Sequence, residues 1–274
     1  MVTSFISESI INFNSLSYGT ITLYFIIGVI GATIANTTGA GGGVIFIPFF
    51  AFIGLPNVSA VATSIGIQCF GMTAGSISWL RNHPENRLKN ICYALFCSLV
   101  ALIGMYIAML LENTKFNQLN LLFGLLSISV AIAYFYLMNS KKSNLNAINS
   151  NIKLKPIIFL ASFIGGIFTY YISIGVGELV LIACIASGAS LLKSISFAVL
   201  TTSLTVIPSL FLFSFNNYII PEILLPVGAG AIIGGIFASK IVNIVGAKTV
   251  KSFCLIIISL TGIIEISIWG HTFN

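Results

Sequence analysis

Residues 34–48 read Ile-Ala-Asn-Thr-Thr-Gly-Ala-Gly-Gly-Gly-Val-Ile-Phe-Ile-Pro and lie inside a long apolar region of the chain. Four glycines, three polar side chains and a proline interrupt the apolar pattern here. Main-chain groups that face lipid must be fully hydrogen-bonded. Such a break is therefore tolerated at membrane depth only where it is buried in protein or lines a polar cavity. This stretch is the first candidate for a ligand site.

A weaker copy of the break occurs about half a chain later. Residues 170–178 read Tyr-Tyr-Ile-Ser-Ile-Gly-Val-Gly-Glu, again within an apolar region. Glycine allows the main chain to leave helical geometry. We expect two broken helices, one at Gly39–Gly43 and one at Ser173–Glu178.

The composition indicates a membrane protein. Of 274 residues, 57% are hydrophobic and only 7% are charged, and the mean hydropathy is +1.07. Soluble domains carry about 25% charged residues. The apolar runs are continuous, whereas a β-barrel would alternate polar and apolar residues. We predict an all-α polytopic membrane protein that lies in the lipid bilayer.

The distribution of charges and cysteines excludes several function classes. The net charge of +6 does not indicate nucleic-acid binding, because the twelve Lys and Arg residues cluster in connecting segments, as is typical of cytoplasmic loops. The five cysteines lie in apolar runs without a CxxC pair, which favours neither disulfides nor zinc. No catalytic motif such as HExxH is present. We predict no metal, no cofactor and no enzymatic activity.

The chain divides into two similar parts. We assign a polar N-terminal tail (1–19), a first transmembrane repeat (20–138), a basic linker (139–155) and a second transmembrane repeat (156–274). Three segments of the first part match segments of the second part in the same order. They are Gly39 and Gly41 with Gly175 and Gly177, residues 60–64 with 198–203, and residues 101–108 with 231–238. Small residues in the last pair of segments would let helices approach closely. The matches indicate an internal duplication.

The loop charges favour an inverted orientation of the two repeats. The loop 81–89 is basic, whereas its counterpart 216–222 carries only Glu222. The loop 112–115 is balanced, whereas its counterpart 240–251 carries three lysines. By the positive-inside rule the repeats then face opposite sides. Inversion requires an odd number of membrane crossings in each repeat. With two spans after each polar loop and three segments before it, the chain would have about ten membrane segments, with both ends outside. A count of about eight plain helices would make the repeats parallel.

The first break has the properties of an anion site. If a short helix begins at Gly42 or Gly43, its first N–H groups are free and its dipole favours negative charge. The alternative is close helix packing through small residues. Hydroxyls near the breaks could bind the same anion, although helix capping is their usual role. The candidate substrate-binding residues are Asn36, Thr37, Thr38, Gly39, Gly41, Gly42, Gly43, Thr63, Ser64, Ser173, Gly175, Gly177, Thr202 and Ser203. We interpret Gln68, Thr73, Ser76 and Ser78 as a stripe of helix contacts.

Glu178 follows the second break and is the most unusual single residue. A charge at the centre of the bilayer costs about 2.5–3.5 kcal/mol, so acids within membrane segments are functional candidates. One hypothesis is that Glu178 couples transport to a proton. The other is a structural acid that bonds to hydroxyls or pairs with Lys193. An ionised Glu178 would repel an anion in the same cavity.

The two glycine-rich motifs of the first repeat resemble a known family. Gly39-Ala-Gly-Gly-Gly-Val-Ile-Phe-Ile-Pro48 followed by Gly54-Leu-Pro-Asn-Val-Ser-Ala-Val-Ala-Thr-Ser64 is similar to the first-repeat signature of the sulfite exporter TauE/SafE family. The second repeat departs from that pattern, since Cys184 stands where the first has Pro48. The family comprises multi-pass permeases associated with sulfite, sulfonates and related organic anions.

The resemblance implies a function. We expect a permease of the bacterial cytoplasmic membrane that moves a small anion by alternating access, with the substrate between the two breaks. Two alternatives remain open: a membrane subunit that assembles or anchors a partner complex without transport, and a passive anion channel. The sequence leaves the oligomeric state open.

Overall fold

The computed structural model describes residues 17–83, 86–111, 154–214 and 218–246, residue 152, and scattered positions within 121–136 and 249–266. Across this described part the chain is helical with short connections and no strand. The predicted all-α class is confirmed. Residues 1–16 of the N-terminal tail, most of the linker and the loop 112–115 lie outside the described residues.

Eight helices have defined ends within the described residues. They are α1 (Tyr18–Thr38), α2 (Gly43–Phe52), α3 (Asn57–Asn82), α4 (Arg87–Leu110), α5 (Pro156–Ile172), α6 (Val176–Ala186), α7 (Leu191–Ser214) and α8 (Pro221–Val245). Helices α1, α3, α4, α7 and α8 are long and apolar enough to cross a membrane. The described positions of 121–136 and 249–266 are also helical, where the sequence predicts a last span in each repeat.

Helices α2 and α6 are too short to cross the bilayer. They contain 10 and 11 residues, or about 15 Å of helix, against a hydrocarbon core about 30 Å thick. Each follows a break in an apolar region. The two predicted broken helices are therefore present in the structure.

The first break agrees with its prediction. Helix α1 ends at Thr38, and Gly39 adopts a left-handed conformation with φ of 75°. Its N–H still donates to the carbonyl of Ala35, so the helix is closed by a glycine C-cap. Helix α2 begins at Gly43, as the sequence predicts.

The second break is shorter than predicted. Helix α5 ends at Ile172, Ser173 takes the left-handed conformation with φ of 59°, and α6 begins at Val176. The break is therefore Ser173–Gly175, and placing Glu178 within it was wrong. Glu178 lies in the first turn of α6 and accepts a hydrogen bond from the N–H of Gly175, the residue before that helix. This bond caps the N-terminus of α6 and stabilises the start of the helix at Val176.

The helix ends also change how the two breaks correspond. The left-handed residue after α1 is Gly39 and the left-handed residue after α5 is Ser173. The sequence match paired Gly39 with Gly175 instead. The structural correspondence is thus shifted by two residues, because the second break closes over fewer residues than the first.

The helix packing repeats when the two parts of the chain are exchanged. Helix α8 packs on α1 and α3, and correspondingly α4 packs on α5 and α7. The short helix α2 packs on α3, and α6 packs on α7. Helices α3 and α7 contact each other between the two sets. A two-fold relation between similar units produces this reciprocal pattern.

Glycines bring the exchanged helices into main-chain contact. A Cβ on Gly104 of α4 would lie 2.2 Å from the carbonyl oxygen of Phe163 in α5. A Cβ on Gly234 of α8 would lie 2.3 Å from the carbonyl oxygen of Val29 in α1. The close approach expected from small residues in these helices is confirmed at both places.

Of the helices long enough to cross a membrane in the described part of the chain, the central α3 and α7 are the most buried. In the most apolar windows of α3 and α7, 72% and 61% of residues are buried, against 28% in α1 and 39% in α4. The outer helices instead expose large apolar side chains such as Ile26 and Phe96, as lipid contact requires. The two breaks are held beside α3 and α7, away from the lipid-facing surface.

Candidate functional site

The two breaks meet inside the protein. A Cβ on Gly43 would lie 2.3 Å from the carbonyl oxygen of Ser173, and a Cβ on Gly177 would lie 2.7 Å from that of Gly39. Real Cβ atoms do not approach oxygen so closely, so only glycine allows this contact. We refer to residues 39–43 and 173–178 together as the junction.

Glu178 connects the two sides of the junction. Its Oε1 atom accepts a hydrogen bond from the N–H of Gly41 at 2.9 Å, and its Oε2 atom accepts one from the N–H of Gly175 at 2.9 Å. The side chain is only 1% exposed. These partners are main-chain amides, whereas the sequence suggested hydroxyls or Lys193.

Gln68 of α3 forms a second bridge across the junction. Its Oε1 atom accepts from the N–H of Gly42 at 3.0 Å. Its Nε2 atom donates to the carbonyl oxygen of Ser173 at 3.1 Å and to Oγ of Ser173 at 2.8 Å. The hydroxyl of Ser173 in turn donates to Oγ of Ser64 at 2.9 Å. One amide side chain thus satisfies donors and acceptors of both breaks.

Sequence reasoning left Gln68 out of the site because a polar residue in a membrane helix usually contacts another helix. A usable signal was present. Gln68 follows Ser64 by four residues, so the two side chains lie on the same face of α3. Ser64 was a candidate, and its face was therefore the one to follow along the helix.

The charge distribution of the junction favours a negative group. The N–H groups of Gly41, Gly42 and Gly175 lie at or just before the starts of α2 and α6, where each helix carries about half a positive charge. All three donate to side-chain oxygens. The sequence led us to expect Glu178 to repel an anion here. In the structure its carboxylate lies where the amides would hold one.

The threonines before the first break serve α1 itself. The hydroxyls of Thr37 and Thr38 donate to the carbonyl of Ile34 at 2.9 and 2.8 Å. Oγ1 of Thr38 also accepts from the N–H of Ala40 at 3.2 Å. These bonds end the helix and shape the turn, which is the usual role of such hydroxyls.

Asn36 and Thr63 make contacts elsewhere. The side-chain amide of Asn36 donates to the carbonyl of Gly71 at 3.2 Å, and the main-chain carbonyl of Asn36 accepts from the indole of Trp79 at 3.0 Å. Asn36 therefore ties α1 to α3. Oγ1 of Thr63 accepts from the N–H of Ile220 at the start of α8, at 3.1 Å.

The hydroxyl pair of α7 lies partly at the junction. Oγ1 of Thr202 donates to the carbonyl of Ala198 at 2.9 Å and would lie 3.1 Å from a Cβ on Gly177. Ser203 shares a 3.1 Å hydrogen bond with Thr73 instead. Its sequence counterpart Ser64 accepts from the hydroxyl of Ser173, so the two matched hydroxyls make different contacts.

A metal site is not assembled in the described part of the chain. There, no three His, Cys, Asp or Glu residues lie together. The described cysteines Cys69, Cys92, Cys97 and Cys184 are free thiols. Sγ of Cys69 donates to the carbonyl of Val206 at 3.1 Å, which is a helix contact between α3 and α7.

A family model described as the sulfite exporter TauE/SafE matches residues 24–264, a range that includes both breaks and all eight helices in whole or in part. The chain belongs to the sulfite exporter TauE/SafE family. The resemblance seen in the glycine-rich motifs of the first repeat is thereby confirmed.

This TauE/SafE protein also has a curated relative that is named as a transporter. A protein of Methanocaldococcus jannaschii, named as a probable membrane transporter protein, is 34% identical over 70 residues. That alignment covers 26% of each chain, so this chain matches about a quarter of the relative's length. No solved structure matches the chain.

Proposed function

We propose that this TauE/SafE protein is a permease that moves a small oxyanion across the bacterial cytoplasmic membrane by alternating access. Sulfite, a sulfonate or a related organic anion is the expected substrate. The family model and the transporter-named relative support transport as the activity. The junction supports an anion as the transported species.

The observation that carries the proposal is the convergence of helix N-termini. The amides of Gly41, Gly42 and Gly175 lie just before the first turns of α2 and α6. Each donates its N–H to a side-chain oxygen instead of to a carbonyl within a helix. Oriented amides and helix dipoles bind anions without a cationic side chain. Discontinuous helices present such ends to substrates in transporters.

An inverted repeat would provide the alternating motion. We propose about ten membrane segments with both ends outside, so that the two repeats face opposite sides. The swapped loop charges support this orientation, and the reciprocal packing of α8 on α1 and of α4 on α5 fits a two-fold relation. Movement of the units around a fixed junction would then open it to each side in turn.

Glu178 is the residue to which we assign the coupling proton. Among the described residues it is the acid buried within the helix bundle, whereas Glu222 lies in the first turn of α8. A neutral Glu178 would not repel an anion that approaches the amides of the junction, since like-charge repulsion would be absent. Anion and proton would then move together.

Flux into proteoliposomes tests the proposal. Purified full-length protein is reconstituted, and uptake of sulfite, thiosulfate, sulfonates and carboxylates is followed against protein-free vesicles. Saturable, gradient-driven uptake of one of these anions is expected. Uptake that does not saturate would indicate a passive channel. No uptake of any anion would favour a non-transporting assembly or anchoring subunit.

A further inference from the structure

We infer that the carboxylate of Glu178 is a tethered occupant of the substrate site, and that the substrate binds the amides of Gly41 and Gly175 with two oxygens of its own in place of Glu178. This inference rests on the proposed function, because it concerns the same junction. It adds which main-chain amides hold the two oxygens of the substrate and which contact must break before the substrate binds.

The geometry of Glu178 defines the form of the occupant. The two carboxylate oxygens of Glu178 are bonded to the same carbon, and each accepts one hydrogen bond of 2.9 Å from a main-chain N–H. The two N–H groups belong to different breaks. Carboxylates, sulfite and sulfonates also carry at least two terminal oxygens on one atom. A monatomic anion cannot place a separate acceptor atom on each amide. The site therefore favours oxyanions over halides.

Substrate and Glu178 exclude each other at this position. The side chain is 1% exposed, and the two breaks are in main-chain contact through Gly43 and Ser173, so no space remains beside the carboxylate for a second anion. Two negative charges sharing two amides would also repel each other. The described conformation is thus closed by the protein's own carboxylate.

Gln68 is suited to remain in place during the exchange. Its contacts with Gly42 and Ser173 come from a neutral amide, which adds no charge against an incoming anion. It keeps the first and second breaks aligned while Glu178 leaves. The neutral side chain of Gln68 therefore stays fixed between the two breaks, whereas the charged side chain of Glu178 moves.

Acetate provides a direct probe, because it has the same atoms that Glu178→Ala removes beyond Cβ. Acetate binding to the purified full-length chain is measured by calorimetry and by the shift in thermal unfolding temperature. Removal of a competitor that fills the site most of the time should tighten acetate binding by at least about tenfold. Chloride at equal ionic strength should give no comparable gain.

Two variants serve as controls. Glu178→Gln keeps the side-chain volume but carries no charge and has one acceptor oxygen for the two amides, so acetate should bind it more tightly than wild type and less tightly than Glu178→Ala. Glu222→Ala removes an acid that lies outside the junction, in the first turn of α8, and should behave as wild type. Equal acetate affinity of Glu178→Ala and wild type, or equal stabilisation of Glu178→Ala by chloride, would overturn the inference.

A measurement on the wild type covers the case in which Glu178→Ala does not fold. Infrared difference spectra on addition of sulfite should contain a carboxylate band that is absent in Glu178→Gln and retained in Glu222→Gln. Absence of that band in the wild type counts against displacement. If sulfite is taken up but neither the carboxylate band nor the tighter acetate binding of Glu178→Ala is observed, only this inference is overturned. If no anion is taken up, the proposed function is overturned.

Discussion

Oε1 of Glu178 lies 2.9 Å from the main-chain nitrogen of Gly41, although 137 residues separate them in the chain. This single hydrogen bond joins the first turn of α6 to the turn that precedes α2. The carboxylate at the same time holds the N–H of Gly175 at the start of its own helix. Glu178 is thus both a helix cap and the link between the two breaks.

Replacing Glu178 by glutamine should remove the pH dependence of transport. The amide keeps the size of the side chain but cannot bind or release a proton. Initial uptake rates in proteoliposomes across a range of external pH would measure the effect. Glu222→Gln should keep the wild-type profile. A pH profile of Glu178→Gln that matches wild type would disprove proton coupling at this residue.

Replacing Gln68 by alanine should weaken both the fold and substrate binding. The N–H of Gly42 and the carbonyl of Ser173 would lose their partner, and a buried unpaired group costs about 1–3 kcal/mol. We expect a lower thermal unfolding temperature and a higher half-saturating substrate concentration. Asn82→Ala removes a hydrogen bond from the side-chain amide of Asn82 to Ser239, which lies outside the junction. This variant should leave the half-saturating concentration unchanged.

A methyl group at Gly43 should separate the two breaks. Its Cβ would lie 2.3 Å from the carbonyl oxygen of Ser173, so the main chain must move, at a cost of about 1–3 kcal/mol. Gly43→Ala should lose most uptake. Gly19→Ala, whose Cβ would meet its nearest atom at 3.8 Å, should transport as wild type. Full activity of Gly43→Ala would show that contact between the breaks is dispensable.

A methyl group at Gly166 should destabilise the scaffold without touching the junction. Its Cβ would lie 2.0 Å from the carbonyl oxygen of Ala101, which would force α5 away from α4. We expect a lower yield of folded protein and an earlier thermal transition than for Gly19→Ala. Wild-type stability of Gly166→Ala would mean that this helix pair tolerates separation.

The C-terminus is predicted to lie outside the cell. Ten membrane segments with the N-terminus outside would return the chain to that side, as inverted repeats require. A C-terminal alkaline phosphatase fusion should be active, and a C-terminal green fluorescent protein fusion should be dark. The reverse result would place the C-terminus in the cytoplasm and defeat the inverted arrangement.

The breaks were predictable because their causes are local. Gly39 can adopt the left-handed conformation that ends α1, and Pro56 fits just before the start of α3 at Asn57. Each of these preferences is a property of a few adjacent residues. The extent of the second break was less predictable, since Ser173 rather than a glycine takes the left-handed position.

The membership of the junction was less accessible from sequence. Ser64, Ser203 and Thr63 had equal claims as hydroxyls near a helix start. Only Ser64 bonds to the second break, whereas Ser203 contacts Thr73 and Thr63 caps the start of α8. Which hydroxyl reaches a ligand depends on the rotation of each helix about its axis, and side-chain packing over the whole bundle sets that rotation.

By itself, the sequence determined that this is a helical membrane protein whose apolar regions carry two polar, glycine-containing interruptions. Continuous apolar runs and glycine-rich turns impose both properties on any fold that the chain could adopt. Only the tertiary structure decided what fills the interruption between α1 and α2. Its amides could have faced water, a substrate or protein, and packing of α3 and α6 against them supplied Gln68 and Glu178.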